Sequence, residues 1–415
     1  MKREQLRTLT VPTFSSDVAP LASTRLDRWV LGRIQRTVIR APVRFVLWDG
    51  FEAPARVNPP VATILIKNRP ALFSLVWDAE LNFGEAYMSG ALEVQGDLER
   101  LLEAIYRAMA AAGRPRPWWL WEGSNDVRAA KDNVHHHYDL GNSFYRLWLD
   151  REMVYTCAYF PTPDATLEEA QIAKMDLVCR KLRLEPGERV VEAGCGWGAL
   201  ALFMARQYGV TVRAFNLSSE QIAYARERAK EKGLVDRVEF VEDDYRNVRG
   251  EYDVFVSVGM IEHVGLPDYS TLGRVINRTI GDGGRGLLHF IGRNQATPLN
   301  PWIQKRIFPG GYLPALREVF ERVLEPQNFS VLDVENLRLH YAKTLEHWLR
   351  RFNDASGEVA RTFDETFVRA WRLYLAGSQA SFVTGSTQLF QVLFARGTSN
   401  AIPWTRVAGE RSLWR

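Results

Sequence analysis

Glu192-Ala193-Gly194-Cys195-Gly196-Trp197-Gly198 lies between a short apolar run, Arg189 to Ala193, and a helical pattern, Ala199 to Tyr208. Glycines at such a strand-to-helix turn let the backbone approach a ligand closely, because no Cβ stands in the way. Working outward, Thr211 to Asn216 reads as a second strand and Gln221 to Gly233 as a helix. Arg237 to Val241, Val254 to Val258 and Gly286 to Ile291 read as further strands. Alternating strands and helices imply an α/β fold whose parallel sheet is covered on both faces. Val331 to Leu337 and Leu389 to Phe394 read as late strands forming an edge hairpin.

With Ala199 the loop also satisfies the G-x-G-x-x-G/A dinucleotide pattern. A nicotinamide site wants an acid about 20 residues further on, at the end of the second strand, to hold the ribose. Here that strand ends Phe215-Asn216-Leu217-Ser218 with no acid before Glu220, whereas Glu192 stands two residues ahead of the first glycine. An acid, three spaced glycines, a polar second-strand end and Asp243-Asp244-Tyr245 after the third strand resemble a class I S-adenosylmethionine (SAM) methyltransferase with a Rossmann-like sheet. The resemblance implies SAM as cofactor. Glu192 and the loop Gly194, Cys195, Gly196 and Gly198 would meet its amino-acid portion. Asn216, Leu217, Ser218 and Gln221 would lie near the ribose, and Asp244 and Tyr245 near the adenine.

The chain has 415 residues, 46% hydrophobic and 25% charged, ordinary values for a globular protein long enough for two to three domains. No apolar run approaches the roughly 18 residues of a membrane-spanning helix, and no secretory core follows Met1, so a cytoplasmic location is expected. Cys157, Cys179 and Cys195 form no CxxC pair, which argues for reduced thiols and against zinc. Residues 1 to 50 hold nine Lys/Arg against four acids, +5 of a total of +4, leaving the rest near −1. Such a segment attracts a polyanion, either nucleic acid or anionic lipid.

Leu26, Trp29, Val30, Ile34 and Val38 recur at helical spacing among arginines between Leu21 and Arg40. That helix either lies on an anionic membrane or packs on its own domain. Val61 to Ile66 and Leu72 to Trp77 read as strands separated by a Lys67-Asn68-Arg69-Pro70 turn, and Leu98 to Met109 as a helix stopped by Gly113 to Pro117. A small α+β domain over residues 1–115 is expected, then a linker over 116–135 with Trp118, Trp119 and Trp121, then a catalytic domain over 136–415.

Further strings narrow the class: His137-Tyr138-Asp139-Leu140-Gly141-Asn142, Tyr155-Thr156-Cys157-Ala158-Tyr159-Phe160, Ser257 to Gly265 around Glu262, Leu288-His289-Phe290-Ile291-Gly292, and Ile307 to Gly311. In this order they resemble the cyclopropane-fatty-acyl-phospholipid synthase family, which includes mycolic-acid methyltransferases. Phe83 to Gly90 resembles the lipid-associated N-terminal domain of its phospholipid enzymes; the first 40 residues or so and the tail after Gly397 lie outside the likeness. The resemblance implies that SAM methylates the double bond of an unsaturated phospholipid acyl chain. A bicarbonate ion held by Cys157, Glu262, His289, the backbone at Ile291 and Tyr341 would then take a proton so that the ring closes. Tyr155 and Thr156 join the cofactor set. The likeness also selects a phospholipid membrane surface over nucleic acid, places the protein peripherally on the inner membrane face, and leaves a homodimer open.

Plainer readings stand beside these. Glu262 and His263 can be a helix start, and a lone cysteine is more often a buried small hydrophobe. His135-His136-His137 cannot all reach one ion from a regular element, so no metal is expected. Thr156, Asn216 and Gly310 depart from the family's usual residues without removing a functional group, and the string around Tyr341 departs further. Rival functions are an acyl-chain methyltransferase leaving a methyl or methylene branch, an amine methyltransferase, and a non-catalytic SAM- or lipid-binding scaffold.

Overall fold

A computed structural model describes residues 22–38, 41–54, 57–111 and 140–401. The chain forms two compact units: Met1–Arg114 with Asn300–Lys305 and Ser356–Thr384, and Pro115–Leu299 with Arg306–Ala355 and Gly385–Arg415. The linear division expected from the sequence therefore misses two segments, 300–305 and 356–384, that pack into the first unit. The proposed linker, the tryptophan cluster and the three histidines lie outside the described residues.

In the first unit β1 (Val43–Leu47), β2 (Glu52–Ala53), β3 (Ala62–Ile66) and β4 (Leu92–Gly96) form a sheet in the order β2-β1-β3-β4, with β1 and β3 parallel. Alternate residues Val43, Phe45, Leu47, Ala62, Ile64 and Ile66 are buried, the two-residue period of a sheet with one covered face. Helix 98–111 packs against helix 365–384, whose Phe367, Trp371 and Tyr374 are buried. Leu72 to Trp77, expected as a strand, belongs to a helix, Arg69–Trp77. Asn68 caps it, its side-chain oxygen accepting from the Ala71 N–H at 2.9 Å, and Pro70 sits in the first turn. An Asn-x-Pro helix start was mistaken for a turn.

In the second unit β5 (Arg189–Ala193), β6 (Thr211–Asn216), β7 (Val238–Glu242), β8 (Tyr252–Val258), β9 (Ile280–Gly292), β10 (Phe329–Asn336) and β11 (Gln388–Arg396) form one sheet, ordered β10-β11-β9-β8-β5-β6-β7. β11 alone runs against its neighbours. The late strands do pair antiparallel at the edge of the sheet, β10 outermost and β11 inside it against β9, but helices 338–354, 356–362 and 365–384 stand between them in place of a hairpin turn. Both faces are covered. Val190, Val254 and Leu287 pack beneath the helices at 167–182 and 199–208, while Val191, Phe255 and Leu288 pack on the opposite side with helix 269–279. β6 and β8 flank β5 on opposite sides, so the chain reverses direction across the sheet there and leaves a crevice at the carboxyl ends of the strands. The glycine loop enters this crevice.

Candidate active site

Gly194, Gly196 and Gly198 all adopt left-handed backbone, with φ of 84°, 53° and 82°. The loop is pinned by the Gly194 and Cys195 N–H groups, which both donate to the Phe215 carbonyl at 2.9 and 3.0 Å. A Cβ at Gly194 would stand 2.9 Å from Met260 Cβ, whereas nothing lies within 4 Å of one at Gly196, which faces the open crevice. Gly198 serves packing: its Cβ would meet the Phe240 ring at 2.6 Å.

The crevice has a cavity volume of about 150 Å³. Tyr155, Thr156, Glu192, Gly194, Cys195, Gly196, Asn216, Leu217, Gln221, Asp244 and Tyr245 line it, so most of the proposed cofactor set comes together. Gly198 and Ser218 do not line it; Ser218 is buried and caps helix 219–231, its Oγ accepting from the Gln221 N–H at 3.3 Å. Asn216 braces the wall by donating to Gln221 Oε1 at 2.6 Å. Asp244 accepts from the Arg246 backbone N–H at 2.8 Å and pairs with its guanidinium at 3.0 Å, while Arg246 also holds Asp268 at 3.0 Å.

Beneath the loop sits a buried polar group that the sequence reading overlooked. Lys174 is 1% exposed and donates to Thr156 Oγ1 at 2.8 Å. Burial pushes its ammonium pKa down and the Glu192 carboxyl pKa up, each opposed by the other's charge. Glu192 Oε2 is buried with no hydrogen-bond partner. An unpartnered acceptor beside a glycine loop whose backbone faces the open crevice at Gly196 fits the ammonium end of SAM. Lys174 was legible in principle: with Gln171 it occupies the apolar stripe of helix 167–182, where a polar side chain requires a reason. Trp197, also missed, walls the crevice, donating to Asn142 Oδ1 at 2.6 Å and lying 5.0 Å from the Tyr145 ring.

The second set, proposed for proton removal, does not line the crevice but adjoins it in the chain. Cys157 follows Thr156, and Glu262 stands between Met260 and His263, which do line it. Contacts tie the set together at the ends of β9 and β11. The Cys157 thiol donates to the Ala158 carbonyl at 3.1 Å and approaches that of Leu337 at 3.9 Å. The Tyr341 N–H donates to the same Leu337 carbonyl, the Leu337 N–H donates to the Leu389 carbonyl, and Leu389 pairs with Ile291. Glu262 Oε1 accepts from the Ile291 N–H at 2.6 Å. That N–H, expected on the ion, is thus engaged by the carboxylate. The Tyr341 ring stands edge-on to Trp348 at 5.9 Å.

Burial pushes the Glu262 carboxyl up to about 7, against the Ile291 hydrogen bond that lowers it. Burial, with the charges of Lys174 and Lys181, keeps His289 neutral, its pKa well below the usual imidazole range. Burial also raises the Cys157 thiol far above neutrality, which makes it a hydrogen-bonding group and not a thiolate nucleophile. Glu262 Oε2 and His289 Nε2 are buried without partners. Gln391, opposite His289 on β11 and fully buried, places its side-chain nitrogen 3.0 Å from His289 Nδ1. With that amide donating, Nδ1 accepts and the neutral ring carries its proton on Nε2. The sequence hinted at Gln391 as the polar residue inside Leu389-Phe390-Gln391-Val392-Leu393-Phe394.

Residues 125–392 match the mycolic acid cyclopropane synthetase family. Residues 31–114 match a separate domain of unknown function, DUF7884. Over 382 residues the chain is 37% identical to a probable fatty acid methyltransferase of Pseudomonas putida, spanning 89% of this chain and 96% of that protein. It is also 37% identical over 354 residues to the cyclopropane-fatty-acyl-phospholipid synthase of Escherichia coli K12, spanning 82% and 90%. The crystal structure of the mycolic acid cyclopropane synthase CmaA1, complexed with SAH (S-adenosylhomocysteine) and CTAB, superposes with a TM-score of 0.61 at 32% identity, covering 64% of this chain and 97% of that one.

Proposed function

The chain belongs to the mycolic acid cyclopropane synthetase family and is a SAM-dependent methyltransferase. From that membership we propose that it adds a methylene unit across the cis double bond of an unsaturated phospholipid acyl chain, with bicarbonate as the base. Bound SAM supplies an electrophilic methyl group, which a weakly nucleophilic alkene needs. As its C–S bond breaks and the new C–C bond forms, positive charge develops on the neighbouring acyl carbon. Loss of a proton from the added methyl leaves the electron pair that closes the ring.

Two unpartnered buried atoms support this reading most directly. Glu262 Oε2 can receive a proton near neutral pH, and the His289 Nε2–H can donate to an oxyanion. A small acid-base ion such as bicarbonate fits between an acceptor and a donor of that kind. Cys157 and Tyr341 complete the proposed enclosure; their common neighbour, the Leu337 carbonyl, brings them to the same strand ends. Tyr155 lines the crevice, and the buried rings of Tyr145, Trp148 and Trp348 pack behind it at 5.2 to 5.7 Å and hold it in place.

The test is turnover by the purified protein on unsaturated phospholipid, with and without bicarbonate, read by mass spectrometry and catalytic hydrogenation. A product heavier by one CH2 and resistant to hydrogenation is expected, with turnover falling when bicarbonate is depleted. The second reading, a methyl or methylene branch, is favoured by the equal identity to the Pseudomonas relative. It predicts a product that hydrogenation alters, or one that needs a reductant.

A further inference from the structure

In the first unit, helices Arg25–Thr37 and Arg69–Trp77 pack side by side and are tied by the Arg69–Asp27 ion pair at 2.8 Å. Each turns ordinary apolar residues inward: Val30 and Leu31 from one, Leu72 and Leu75 from the other. Each also leaves large apolar side chains outside. Trp77 is 92% exposed and Trp29 56%, with Leu26, Phe73 and Val76 exposed beside them on the same two helices. A folded domain gains nothing from holding indoles in water, so a clustered set of this kind marks a contact surface.

Its charge identifies the partner. Asp27, the only acid in either helix, is buried and neutralised by Arg69. Every exposed charge on the two helices is therefore an arginine. Two of them lie against the exposed rings: Arg33 is 5.4 Å from the Trp29 centroid and Arg69 is 5.3 Å from that of Phe73. Aromatic residues interleaved with cations on one helical face match the boundary of an anionic bilayer. Indole settles at headgroup depth there while guanidinium remains on phosphate.

We propose that this two-helix face is the surface by which the protein seats itself on an anionic phospholipid bilayer, with Trp77 and Trp29 as its anchors. The inference rests on the phospholipid reading only in that such a substrate is presented by a bilayer.

The test compares the full chain with Trp29→Ala/Trp77→Ala and, separately, Arg33→Glu/Arg36→Glu. Both pairs are exposed and remote from the crevice in sequence. The probes are vesicles of unsaturated phosphatidylglycerol, of phosphatidylcholine, and the same lipids dispersed in detergent. Sedimentation of the parent with phosphatidylglycerol vesicles, weak with phosphatidylcholine and weaker in high salt, is expected, with each double variant losing about tenfold or more in affinity. Thermal melts check that the variants stay folded. Turnover on detergent-dispersed lipid should be unchanged while turnover on vesicles falls. Vesicle binding equal to the parent's in both folded variants would overturn the proposal. So would a homodimer that dissociates on substitution while vesicle binding persists, because the face would then meet a second copy. A parent that binds vesicles through this face yet modifies no lipid in either form would overturn the phospholipid reading and leave the docking face intact.

Discussion

Glu262 carries the sharpest residue-level prediction. Glu262→Gln keeps an oxygen to accept from the Ile291 N–H but cannot take a proton, so turnover should fall roughly 10²- to 10⁴-fold. S-adenosylhomocysteine affinity, read by calorimetry, should change little. Because burial raises the Glu262 carboxyl to about 7, turnover that needs the ionised form should rise with pH through a midpoint near 7, well above an ordinary carboxyl titration. The same shift acts on stability. A carboxyl whose folded pKa is raised favours the fold while protonated, so its contribution is full below the unfolded value and is lost as pH climbs through about 7. The difference in melting temperature between parent and Glu262→Gln should accordingly move against the parent from pH 5 to pH 8. Gln391 acts on His289 from behind. Gln391→Glu would set a carboxylate against Nδ1 and raise the imidazole pKa, shifting the acid limb of the rate profile upward, whereas mere loss of packing would lower the rate at every pH alike. Glu262 and His289 were visible in the sequence because they sit in strings. Gln391 and Lys174 showed only as polar residues inside apolar patterns, because their meaning comes from a partner about 100 residues away or from burial that only the tertiary fold creates.

Among the elements, those governed by local pattern were legible. β5, the following helix and β6 have the bounds read from apolar periodicity and the glycine loop. Two misreadings have different causes. At Leu72 to Trp77 the signal was local but weak, since a helix buried on one side through Ala71, Leu72 and Leu75 reads as a plain apolar run, and only the Asn68 cap separates it from a strand. The late strands pair at the sheet edge as read, but the three helices that join them in place of a hairpin turn are not a local signal, because their packing is set by residues distant in sequence. The loop itself supplies an element-level test. Gly198→Ala places a Cβ 2.6 Å from Phe240 and 2.8 Å from Ala225 Cβ at a φ of 82°, so it should lower stability by about 1–3 kcal/mol. A melting curve checks this. Glycine at that position secures the fit of helix 199–208 against β7 and helix 219–231, and a loss of cofactor affinity without a loss of stability would contradict the assignment.

For the molecule as a whole, the discontinuity of the first unit matters most. Helix 98–111 is covered by helix 365–384, and Gly84 lets the Trp302 indole lie where any Cβ would be within 2.5 Å of the ring. A fragment ending at residue 111 lacks both partners and should show no cooperative thermal transition, while adding a peptide spanning 356–384 should partly restore one; circular dichroism reads both. A fragment that melts cooperatively alone would contradict the packing described. The same arrangement constrains biosynthesis. Helices 79–88 and 98–111 leave the ribosome early, yet the helix that covers them and the strand β11 that completes the catalytic sheet both follow residue 364. At elongation rates of about 5–20 residues per second, the interval from residue 111 to residue 384 is on the order of 15–55 s. Through that interval the faces that helices 79–88 and 98–111 turn to helix 365–384 are uncovered, and both units are completed almost together at the end of synthesis. Shielding that waiting segment from aggregation should therefore raise the yield of folded enzyme.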